Sequence, residues 1–110
     1  MAVTSSSHIR RCYMKNISVV ILGGGTPEQF HLPVDDNFSA VSKSGVVYKA
    51  SSIYRIEVDW KGNETTLYTT GEVVEFTSAA EGMELLRAIS SGERRYIAPN
   101  SSRGEIENDD

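Results

Sequence analysis

The chain has 110 residues, a formal net charge of -4 and one cysteine. That length fits one domain with a small core, for which self-association would add burial, and the negative balance opposes a general grip on nucleic acid, where Lys and Arg on phosphates dominate affinity. The lone Cys12 excludes a disulfide within the chain, no apolar run has the length of a membrane-spanning helix, and MAVTSSSHIRRCYM lacks the apolar centre of a secretion signal; a cytoplasmic protein is expected.

Residues 1–13 are Ser-rich and read as a disordered leader, the more so because Met14-Lys15-Asn16 resembles an ordinary translation start. The domain is then expected over residues 14–98. Residues 99–110, ending in Glu105, Glu107, Asp109 and Asp110, read as a disordered acidic tail.

Residues 17–22 (ISVVIL) form an apolar run of strand length whose lack of alternation implies burial on both sides or an oligomer contact. Residues 19–26 (VVILGGGT) suggest the first strand and glycine turn of a dinucleotide-binding fold. That fingerprint needs a third glycine where Glu28 stands and a helix after the turn, whereas QFHLPV alternates like a strand. A plain turn is therefore expected. Residues 29–34, 38–41 and 46–50 are weaker strand candidates, separated by Pro33, the Asp35-Asp36-Asn37 cluster and Ser44-Gly45.

The clearest stretch is residues 45–89. In residues 53–60 (IYRIEVDW), Tyr54, Ile56, Val58 and Trp60 share one parity and Arg55, Glu57 and Asp59 the other, which predicts a strand with one buried and one wet face. Tyr54 and Trp60 are thereby expected in the core, and Arg55, Glu57 and Asp59 in cross-strand charge pairs. Lys61, Gly62 and Asn63 supply turn chemistry, residues 64–70 (ETTLYTT) a partner strand, and residues 73–76 (VVEF) a third, making an antiparallel meander.

Ser78 and Glu81 have capping-box spacing, which predicts a helix start worth about 1 kcal/mol. Ala79, Met83, Leu86 and Ile89 form an apolar stripe, with Glu84 and Arg87 toward water. Gly82 within the helix implies close packing or a marginal helix. Gly92 supplies a left-handed stop, and residues 94–98 (RRYIA) an edge strand.

The expected fold is therefore α+β: a curved antiparallel sheet, or a small open barrel, with one C-terminal helix packed on it. The order G-x-x-Y at Gly45, I-x-x-I-E at Ile53 and T-x-G at Thr69, followed by an acidic helix, resembles small flagellar proteins of the FlbD type and the first half of LytTR DNA-binding domains. Those motifs are generic for a hairpin feeding a helix. The chain's negative balance sets it apart from the DNA-binding family, and neither family is assigned.

The candidate ligand-binding residues are Arg94, Arg95 and Tyr96, two guanidinium forks beside an aromatic ring, suited to phosphate or carboxylate with stacking. A solvated edge strand whose charges complement the helix C-terminus is the simpler account of the arginines. His31 is the only histidine within the expected domain, and Asp35 and Asp36 are adjacent turn residues, so no metal and no cofactor is expected. No carboxylate pair or Ser/His/Asp set can be assigned. These readings lead to a non-enzymatic binding module that forms homo-oligomers and engages a protein partner. The alternative is a sequestering or sensing protein for a phosphorylated or nucleotide-like small molecule.

Overall fold

A computed structural model describes residues 14–101. The expected leader, with His8 and Cys12, and all but the first residues of the expected tail lie outside the described residues.

The apolar run lies in β1 (Met14–Leu22), an inner strand that pairs antiparallel with β2 (Glu28–Asp35) and parallel with β5 (Ile53–Asp59). Its burial is two-sided: Ile17, Val19 and Ile21 face the core, and Val20 is buried on the opposite face. The glycine turn joins β1 to β2 as a hairpin, with Gly23 and Gly25 at φ of +80° and +105°. A strand therefore follows where a dinucleotide site needs a helix.

β5 continues into β6 (Glu64–Thr69) and β7 (Val73–Thr77) as the expected meander, giving the order β2-β1-β5-β6-β7. A smaller sheet, ordered β4-β3-β8, comprises β3 (Ser39–Val41), β4 (Val47–Lys49) and β8 (Arg95–Ile97). β3 runs antiparallel to β4 and parallel to β8. The weaker strand candidates all form, and the fold is α+β. The larger sheet is mixed rather than wholly antiparallel, and it does not close into a barrel. The parallel pairing arises because β3, β4 and one turn of 3-10 helix (Ala50–Ser52) intervene between β2 and β5, and parallel neighbours need such a crossover.

One helix, α1 (Ala79–Ser90), covers the sheet. Ser78 Oγ accepts from the Glu81 N–H at 3.3 Å, as the spacing predicts, and Gly92 has φ +79°. The buried stripe is wider than expected, comprising Ala79, Gly82, Leu85, Leu86, Ala88 and Ile89, with Met83 at its margin. Beneath it lie Ile17, Val19, Ile56, Val58 and Leu67. The smaller sheet contributes Ala40 to the same core, with Phe38 and Ala98 from beside its strands. Tyr48 and Tyr96 pack on Phe76, each with ring centroids 6.4 Å away.

Tyr54 and Trp60 are not core residues, contrary to the parity argument: they are 50% and 42% exposed. The β5–β6 register shifts between Ile53 and Arg55, so Ile53 takes the inward position and Tyr54 turns out. β5 ends at Asp59, and Trp60 belongs to the turn. Its N–H donates to the Leu22 carbonyl at 2.9 Å, and its ring lies over Gly24 at the end of the sheet.

Residues 99–101, placed with the tail from sequence, continue as a turn: the Ser101 N–H donates to the Ala98 carbonyl at 3.1 Å, and Ser101 is buried. Among the described residues no helix is long and apolar enough to cross a membrane.

Candidate interaction surface

The face of the five-stranded sheet opposite the core is set by strand alternation. Cross-strand register aligns His31, Ser18, Arg55, Tyr68 and Val73 in one row, and Gln29, Val20, Glu57, Thr66 and Glu75 in the next. A third row brings Leu22, Asp59 and Glu64 together. Of these side chains only Val20 is buried, so this face is open.

At its centre the polar residues hold one another. The Arg55 guanidinium donates to Glu57 Oε2 at 2.7 Å and sits 5.3 Å from the Tyr68 ring centroid. Tyr68 donates its hydroxyl to Glu57 Oε1 at 3.2 Å, and Tyr54 leans on Tyr68 with centroids 6.2 Å apart. The ion pair therefore runs along β5 rather than across strands. Cross-strand support comes from Tyr68, whose hydroxyl is pushed above its ordinary range by burial and the Glu57 charge. Arg55 Nε is shielded and makes no hydrogen bond.

Beyond this cluster the face is acidic. Asp59 and Glu64 stand directly opposite each other, and Glu75 holds the Glu64 carboxyl above its usual range, helped by desolvation and Asp59. Asp59 Oδ1 also accepts from the Lys61 and Gly62 N–H groups at 3.0 and 3.2 Å, which fixes the hairpin turn.

Arg94 and Tyr96 border two different clefts. Arg94 borders a small cleft of about 120 Å³ with Asp35, Asn37, Phe38, Gly92 and Glu93. Tyr96 borders another of about 220 Å³ with Glu84, Arg87, Ala88, Ser91 and Glu93. Arg95 is exposed and already has an interaction partner. The Tyr96 hydroxyl is shielded and near Glu84, but makes no hydrogen bond of ordinary geometry. Burial, then the Glu84 and Glu81 charges, push its pKa up to about 12. That setting is negative, which disfavours a phosphate there. His31 is exposed, and among the described residues no group of three or more His, Cys, Asp or Glu is gathered as for a metal.

Sequence reasoning missed the Tyr54–Tyr68–Arg55–Glu57 cluster as a surface feature. A signal existed: Ile53 and Ile56 are both apolar at a spacing of three, which strict alternation cannot bury on one face. No family model, curated protein or solved structure matches this chain.

Proposed function

We propose that this chain is a non-enzymatic binding module that self-associates and engages a protein partner, the partner docking on the open face of the five-stranded sheet. The observation that carries this reading is the one-sided cover of that sheet. One face buries the whole core under α1, whereas the other presents a pre-ordered aromatic and arginine cluster beside Val73, which is 60% exposed. Interfaces favour such groups because Tyr and Arg supply contact area and directional bonds when desolvated. The carboxylates of Glu57, Asp59, Glu64 and Glu75 outnumber Arg55, so the complementary surface is basic.

The test is capture of a partner by full-length protein, with charge reversal on and off this face. Binding should be lost in Glu57→Lys with Glu75→Lys, weaken with salt, and survive Glu93→Lys, which lies away from the face. Capture indifferent to the first pair, or no partner at all, would reject the reading.

The small-molecule alternative has less support. Two of its three residues, Arg94 and Tyr96, border different clefts, and carboxylates flank Tyr96.

A further inference from the structure

Among the described residues β2 is an edge strand, and the ladder reveals which of its backbone groups face outward. The Leu22 carbonyl accepts from Trp60 N–H, so Leu22 turns its peptide groups toward β5. Successive strand residues alternate, so Val20 and Ser18 do the same, whereas Ile21, Val19 and Ile17 turn toward β2. Their partners Glu28, Phe30 and Leu32 bond inward, which leaves Gln29, His31 and Pro33 pointing outward.

Pro33 has no N–H to offer, and Pro27, just before the strand, has none either. Prolines on a free edge ordinarily guard it against pairing. Here they leave a window open. Gln29 and His31 keep both donor and acceptor, and Pro27 and Pro33 flank that window at equal distances from Phe30. Phe30 lies on the core side of the sheet beside Val19, yet is 38% exposed because the edge leaves it uncovered.

We propose that a second copy of this chain pairs antiparallel with β2 about a two-fold axis at Phe30, joining the two larger sheets into one. This rests on the self-association reading above and names its surface. In this register Gln29 of each copy stands opposite His31 of the other, and every N–H and C=O of both residues finds a partner. The two Phe30 rings meet at the axis, at the closer spacing of a non-hydrogen-bonded pair. Sliding the strands to centre on His31 would set Gln29 opposite Pro33 and leave the Gln29 carbonyl without a donor. Centring on Gln29 does the same to His31 against Pro27. The prolines thus select the register, and the dyad identifies the occupant as a second copy, because the edge is complementary to itself.

Sedimentation of the full chain over a concentration series, with amide exchange at Gln29 and His31, tests this. The wild type should dimerise, and protection of both amides should rise with concentration. His31→Pro removes an outward donor that the β1–β2 ladder does not use, so it should keep the fold and weaken the dimer about tenfold or more. Phe30→Lys should also give monomer, by placing like charges at the axis. A wild type that stays monomeric at high concentration defeats the self-association reading and this proposal together. A dimer that persists in both variants, or forms without protecting Gln29 and His31, defeats the edge assignment alone.

Discussion

Gly82 of α1 lies so close to the Thr65 side chain that a Cβ at Gly82 would overlap it. Thr65 is fully buried, and its Oγ1 donates to the Ser78 carbonyl at 2.8 Å. The glycine lets the helix settle on β6 while that hydroxyl serves the carbonyl of the helix N-cap. Gly82→Ala gains up to about 1 kcal/mol of helix propensity, but forcing the two elements apart costs about 1–3 kcal/mol. A net loss of stability is expected in urea titration. In a double-mutant cycle with Thr65→Ala, the pair should cost less than the sum of the single changes.

Asn63 joins the hairpin to the helix. It has φ +54°, and its Oδ1 accepts from the Ala79 N–H at 3.3 Å. Asn63→Gly keeps the backbone freedom and loses only the cap. Asn63→Ala loses both, so it should be less stable than Asn63→Gly by about 1 kcal/mol, measured by thermal or urea unfolding.

Glu64 sits among carboxylates, and Glu75 is the main cause of its raised pKa. The folded protein therefore binds that proton more tightly than the unfolded chain. Its contribution is favourable in acid and is lost as pH rises through the raised folded value. Glu64→Gln should accordingly raise Tm at neutral pH. The gain should shrink as pH falls below the ordinary carboxylate range.

Tyr96 titrates at about 12 in the folded protein, against an ordinary 10.0. The neutral hydroxyl is the form the fold accepts, so its contribution is complete below pH 10 and is lost on approaching about pH 12. Tyr96→Phe has no proton to lose, and its stability should decline less steeply across that window. Tyr48 and Tyr68, also raised, leave a residual slope in the variant. Denaturant melts at stepped alkaline pH would compare the two proteins.

Local chemistry determined much of this protein. The Ser78 cap and the Gly92 stop act within one turn of chain, and Lys61-Gly62-Asn63 closes a hairpin between sequence neighbours. The α+β class follows from the same short-range signals. Tertiary structure decided what depends on residues far apart in the chain. The parallel pairing of β1 with β5 requires a crossover whose path no periodicity encodes. The register shift beside Tyr54 exposes a ring that parity assigned to the core, because pairing with β6 rather than strict alternation sets which face it occupies. Arg94 and Tyr96, close in sequence, border different clefts, whereas Arg55, Tyr68 and Val73 come together only through cross-strand register. Sequence proximity governs turns and caps; a surface assembled across strands exists only once the sheet has formed.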